Sequence, residues 1–214
     1  DKRTKYLQIA LNSTLSEAAQ IIHTLPQSDR ILLEAGTPLI KHYGVEAIRF
    51  IKNLRPQSYV VADLKTMDRG ETEVILAKQG GASGAIALGQ APTETIDSFI
   101  ESCKNYGLDS MVDMMNIDSP IKILRKLKKQ PDVVVLHRGV DEEKFNRDKP
   151  VPYIQINKVR ASYAVMIAIA GGDTIREVQR AIFNDANIVV VWKEFYQASG
   201  HTAQMAEEFL KVIK

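Results

Sequence analysis

Asp63, Lys65 and Asp68 close the run Val60-Val61-Ala62-Asp63-Leu64-Lys65-Thr66-Met67-Asp68, where charged side chains follow an apolar, β-branched stretch. Such a stretch predicts a strand, and alternation along a strand puts Asp63 and Lys65 on one face. Opposite charges at the end of a buried strand are costly unless paired, and an active site is one use for them. Glu34 ends an earlier apolar run. Together with Asp63 it could hold one divalent cation, because two carboxylates plus waters and substrate oxygens commonly bind Mg²⁺. Pairing of Glu34 or Asp63 with Lys65 is the plainer alternative. Schiff-base chemistry needs a neutral amine, and neighbouring carboxylates favour the ammonium, so Lys65 is read as a fixed charge beside a developing oxyanion. Asp68 has Glu71 three residues on, so capping of a helix is an equally direct reading for it.

Further candidates stand at the ends of other apolar runs. His137 follows Val133-Val134-Val135-Leu136 and is either a satisfied core histidine or an acid/base residue. Gly171-Gly172 precedes Asp173-Thr174 at a predicted helix start. The pair is either a phosphate cradle of backbone N–H groups or a simple turn. Lys193, after Trp192, adds a point charge in the same region, while Asn12 and Asp113 end two more runs.

Positioning these residues requires a regular scaffold. Apolar and β-branched runs predict eight strands: Tyr6–Leu11, Arg30–Glu34, Tyr59–Leu64, Ser83–Leu88, Ser110–Met114, Asp132–His137, Ala164–Ala170 and Ile188–Trp192. Segments of helical spacing lie between and after them, over 14–25, 39–53, 69–79, 93–106, 118–129, 153–160, 174–184 and 200–213. Capping signatures stand at Thr14 with Glu17, Asp68 with Glu71, and Thr174 with Glu177. Eight βα units in 214 residues lead to a single-domain α/β protein, a (β/α)₈ barrel near the small end of the usual ~200–400 residues. A doubly wound sheet is less favoured, since no Gly-rich fingerprint follows Leu11. In such a barrel Asn12, Glu34, Asp63, Lys65, Asp113, His137, Gly171-Gly172 and Lys193 meet where strands end. The charged, Pro-flanked segment Glu142 to Pro152 is expected to be a long loop or lid.

Composition excludes several classes. A net charge of +2 without a basic block gives no case for nucleic acid or an anionic membrane surface. The densest basic cluster, Arg125 to Lys129, reads as a solvated helix face. No apolar run approaches the ~20 residues of a membrane span. The lone Cys103 allows no intrachain disulfide, shares helical spacing with Phe99 and Ile100, and fits a core position in a cytoplasmic protein. Asp1 as first residue fits a segment cut from a longer fusion polypeptide.

The motif Asp63-x-Lys65-x-x-Asp68 resembles the DxKxxD signature of the orotidine-monophosphate decarboxylase superfamily of barrels. Within it, Glu34-Ala35-Gly36-Thr37-Pro38-Leu39-Ile40, Ala62 through Asp68, and His137-Arg138-Gly139 resemble the 3-hexulose-6-phosphate synthases over nearly the whole chain. The segments around Gly171-Gly172 and Val191-Trp192-Lys193-Glu194-Phe195 are most similar to the archaeal group, in which the synthase follows a formaldehyde-activating domain. The resemblance implies a reversible aldol reaction of ribulose 5-phosphate and formaldehyde, dependent on Mg²⁺ or Mn²⁺. By position it implies Glu34 and Asp63 as metal ligands, Lys65 beside the enediolate, and His137 as proton carrier. It further implies a homodimer in which Asp68 reaches the neighbour's site. A related β-keto-acid sugar-phosphate decarboxylase, reaching the same enediolate by loss of CO₂, is the closest alternative, and a non-catalytic sugar-phosphate-binding or assembly module is another. Two positions depart from the family pattern. Asn12 replaces the usual Asp, and Trp192-Lys193 replaces the Gly-Arg that holds phosphate.

Overall fold

The computed structural model describes residues 3–146, 150–171, 174–192 and 202–213. Eight parallel strands close into a barrel in chain order: β1 (Tyr6–Leu11), β2 (Ile31–Ala35), β3 (Tyr59–Thr66), β4 (Gly84–Leu88), β5 (Asp109–Asp113), β6 (Val133–His137), β7 (Met166–Ala170) and β8 (Ile188–Val191). β1 pairs with both β2 and β8, which excludes the open sheet.

The helices are α1 (Leu15–Thr24), α2 (Thr37–Tyr43), α3 (Val45–Leu54), α4 (Gly70–Gly80), α5 (Thr93–Tyr106), α6 (Pro120–Leu124), α7 (Val140–Phe145), α8 (Tyr153–Ser162), α9 (Ile175–Phe183) and α10 (Thr202–Val212). Among the described residues no helix is long and apolar enough to cross a membrane.

Alternation along the strands divides the core in two. Leu7, Ile9 and Leu11 of β1 point out against the helices, with Phe99, Cys103 and Phe209 in the same layer. Ala10, Leu32, Val61, Ile86, Met111, Val135, Ala170 and Val190 fill the interior. Cys103 is buried, and burial pushes its thiol up to about 12, as an inert core position requires. Toward the strand ends the interior residues include Ala10 and Ala170, and their small side chains leave room for a cavity.

Several boundaries differ from the sequence expectation. The helix expected over 39–53 is interrupted at Gly44, giving α2 and α3. That expected over 118–129 stops at Leu124, where Lys126 and Leu127 bond to carbonyls three residues back and tighten the chain out of the α pattern. The expected loop from Glu142 begins as the short helix α7, fastened by a 3.2 Å bond from Gly139 N–H to the Glu142 carboxylate. Thr14 and Thr174 cap their helices as predicted. The Asp68–Glu71 capping box does not form: Arg69, in the left-handed region at φ +55°, is the N-cap of α4, and Asp68 Oδ1 instead accepts from Arg69 N–H at 2.8 Å. Glu73 takes over the docking of α4 by accepting from the Thr66 hydroxyl on β3.

Candidate active site

The C-terminal ends of the strands surround a cavity of about 410 Å³. Asn12, Glu34, Asp63, Lys65, His137 and Gly171 line it, as the strand-end reading requires, together with Gln8, Thr37, Asp113, Arg138 and Trp192. Asp68 is exposed and does not line this cavity. Gly172 and Lys193 lie outside the described residues.

Lys65 is the hub. Its Nζ lies 3.0 Å from Asp63 Oδ2 and 3.0 Å from Asp113 Oδ2. Simple alternation is not how this pairing arises: β3 shifts register between Ala62 and Thr66, and Lys65 adopts φ +46°. A non-glycine residue there costs of order 1–3 kcal/mol and persists only when its surroundings fix it. Burial opposes the Lys65 charge, yet the Asp63 and Asp113 carboxylates outweigh it and hold the ammonium above its ordinary range. A nucleophilic amine is thereby disfavoured.

Asp113 joins Lys65 to His137. His137 Nδ1 is 2.8 Å from the same Oδ2, and Asp113 Oδ1 accepts from Met115 N–H at 2.9 Å. Burial alone would raise Asp113, but His137 and Lys65 outweigh it and hold the carboxyl down to about 2. Likewise burial disfavours imidazolium, while Asp113 overrides it and raises His137. An ionised carboxylate only accepts, so Nδ1 carries the proton and Nε2 is left for proton exchange in the cavity.

On the other side, Asp63 Oδ2 accepts from the Thr37 hydroxyl at 2.9 Å, and the same hydroxyl reaches the Asp63 backbone oxygen at 2.9 Å. Glu34 accepts from Gln8 Nε2. Burial first, then the neighbouring Asp63 charge, push Glu34 up to about 7. A buried Glu34 carboxyl disfavoured as an anion beside the buried Asp63 suits a divalent cation, whose charge reverses that penalty. The oxygen-only character of the pair matches Mg²⁺ or Mn²⁺.

At Gly36, a Cβ would fall 1.8 Å from Asn12 Oδ1, so glycine is what lets the Asn12 amide settle at the rim. Gly171 adopts φ +99°, and a Cβ there would meet the Arg138 carbonyl oxygen at 2.3 Å. Gly171→Ala is accordingly expected to lose about 1–3 kcal/mol of stability in denaturant unfolding, from strain in the left-handed region and the forced retreat of Arg138.

Sequence reasoning placed Asp113 at a strand end without giving it a role, and it missed Gln8 and Thr37. Asp113 becomes central only once folding brings Lys65 and His137 to it, 48 and 24 residues away. Polarity at the end of β5 was the available signal.

Fold and site define a (β/α)₈ barrel with a charged lysine between two aspartates at its mouth. The model of the orotidine 5'-phosphate decarboxylase / HUMPS family matches residues 5–209, and the chain belongs to this family. It is 38% identical over 211 residues to the bifunctional enzyme Fae/Hps of Methanothrix thermoacetophila, covering 98% of this chain and 53% of that protein. The corresponding enzyme of Methanocella arvoryzae is 35% identical over 211 residues, with 98% and 53% covered. The chain thus spans about half the length of these curated relatives. The crystal structure of 3-hexulose-6-phosphate synthase from Salmonella typhimurium superposes with a TM-score of 0.88 at 29% identity, over 97% of this chain and 98% of that one.

Proposed function

We propose that the chain is a 3-hexulose-6-phosphate synthase, an aldehyde-lyase interconverting ribulose 5-phosphate plus formaldehyde with 3-hexulose 6-phosphate. The observation that carries this reading is Lys65, held as ammonium between Asp63 and Asp113 in a cavity that also receives Glu34 and His137. Aldol chemistry at a ketose phosphate passes through an enediolate, and a fixed, partly desolvated cation is what stabilises it. Family membership and the synthase relatives support the same reaction.

Glu34 and Asp63 would hold Mg²⁺ or Mn²⁺. A cation there would gather substrate oxygens and add Lewis-acid stabilisation. The chain's own residues do the rest. Lys65 faces the negative oxygen of the enediolate. His137, with Nδ1 fixed by Asp113, moves a proton through Nε2. Asn12 orients substrate hydroxyls at the rim without acting as a base. The sugar phosphate group is assigned to the backbone at Gly171-Gly172, ahead of the α9 N-terminus, with Lys193 as point charge.

Asp68 is assigned to the neighbouring subunit's site in a homodimer. Its exposure outside its own cavity supports this, as does the 45% exposed Met67 beside it. The half-length coverage of the Fae/Hps relatives supports a native chain carrying a formaldehyde-activating domain as well. The reading carries a cytoplasmic setting.

Formaldehyde release from 3-hexulose 6-phosphate, against CO₂ release from 3-keto-L-gulonate 6-phosphate, tests the assignment. We expect formaldehyde release, lost after exhaustive chelation and restored by Mg²⁺ or Mn²⁺. CO₂ release alone would identify a decarboxylase, and binding without turnover a sugar-phosphate-binding module. Full activity after chelation would remove the metal from the mechanism.

A further inference from the structure

Gln8 stands in the middle of β1, 1% exposed, on the floor of the cavity. Its interior neighbours are apolar, among them Ala10, Leu32, Val61 and Val190. A polar side chain at that depth is disfavoured unless both ends of its amide are satisfied. One end is, since Nε2 donates to Glu34 Oε2. The other, Oε1, is buried and meets no donor among the described residues. The amide cannot be turned around at an ionised Glu34, because carbonyl would then face carboxylate.

Among the described residues no cluster of three or more His, Cys, Asp or Glu side chains is able to hold a metal ion. A cation on Glu34 and Asp63 would complete its shell with oxygens of another kind, from water, substrate or a neutral side chain. An amide carbonyl is a hard, neutral oxygen, used by Mg²⁺ and Ca²⁺ class sites without adding to the repulsion between carboxylates.

We propose that Gln8 is the third protein oxygen of the cation site. Its Nε2 fixes the Glu34 carboxylate, and its Oε1 faces the coordination shell of the ion. The inference rests on the reading that Glu34 and Asp63 hold the cation, and it assigns Gln8 a positioning and binding role rather than a proton.

Mn²⁺ titration of the substrate-free protein, followed by electron paramagnetic resonance, tests it on the parent and on Gln8→Leu, Gln8→Glu and Glu34→Gln. Far-UV circular dichroism monitors folding. Gln8→Leu is expected to weaken Mn²⁺ binding by about tenfold or more, the range seen when a supporting partner of a metal site is lost. Gln8→Glu keeps an oxygen in place and adds charge, and is expected to bind at least as tightly as the parent. Equal weakening in Gln8→Leu and Gln8→Glu would overturn the proposal, reducing Gln8 to a prop for Glu34. So would Mn²⁺ binding by Gln8→Leu within about twofold of the parent, since a lost outer-shell partner alone costs more than that. If Gln8→Leu does not fold, Gln8→Met, similar in length and volume, takes its place under the same criteria. Glu34→Gln separates the two levels: if it binds Mn²⁺ like the parent, the cation site itself is misassigned and the role of Gln8 falls with it.

Discussion

Asp63→Ala is expected to lose more than ~100-fold in turnover while remaining folded, the scale on which removal of a charge-stabilising group acts. The fold should survive because the partners of the lost carboxylate keep other partners. Thr37 Oγ1 still reaches the Asp63 backbone oxygen at 2.9 Å, and Lys65 Nζ still lies 3.0 Å from Asp113. The chemistry should not survive, because one carboxylate serves two charges. It holds the Lys65 ammonium at 3.0 Å and, with Glu34, forms the oxygen pair assigned to the cation. Without Asp63, Glu34 also loses the neighbour that raises it, leaving a single acidic side chain where two are needed for Mg²⁺. Turnover assayed across a Mn²⁺ series, beside thermal unfolding of the same samples, checks both halves. Loss of turnover and metal response with the unfolding midpoint retained is the expected pattern. Undiminished turnover would sink the role given to Asp63.

Much of this was legible in the chain because barrels are periodic. β1 and α5 fall on the residues that alternation and helical spacing pick out, Tyr6–Leu11 and Thr93–Tyr106. Glu34, Asp63, Lys65 and His137 meet because each ends an apolar run, and parallel strands bring such ends to one rim. What periodicity hides is departure from regularity. The register shift in β3 turns Lys65 into a left-handed conformation, and no residue type announces that at a lysine. Helix α7 has no buried residue, so it carries no apolar stripe to detect. The Asp68–Glu71 pair matched a capping box in sequence, yet the strand runs on to Thr66 and Arg69 turns the chain, so the cap falls one residue later. Gln8 is a polar residue inside an apolar strand. Its meaning depends on reaching Glu34 on the neighbouring strand β2, which sequence distance conceals.

Asp113→Asn is the substitution that should separate electrostatics from packing. The amide fills nearly the same space, but the side chain, 2% exposed, no longer neutralises the two groups sharing its Oδ2. Lys65 keeps Asp63 at 3.0 Å. Among the described residues His137 keeps no carboxylate in direct contact, so burial and the Lys65 charge act to lower it against the smaller pull of the Asp63 charge. Its titration, followed by NMR, should therefore move from above the ordinary 6.5 to below it. The stability profile changes with it, and the signs are opposite for the two partners. Asp113, depressed from 3.8 to about 2 in the parent, contributes stability present above pH 3.8 and lost as pH falls toward 2. His137, raised above 6.5, contributes stability present below pH 6.5 and lost as pH rises through its folded value. In Asp113→Asn the acid-side dependence should vanish and that of His137 should reverse, stability now falling as pH drops through 6.5, with a loss of about 1–3 kcal/mol near pH 6, where both groups are at work in the parent. Turnover should fall by ~100-fold or more, because the imidazole loses the partner that fixes its Nδ1 proton and hence the role of Nε2. An NMR titration of His137 unmoved by the substitution would show that Asp113 does not govern it, and the proton-carrying role would have to be sought elsewhere in the cavity.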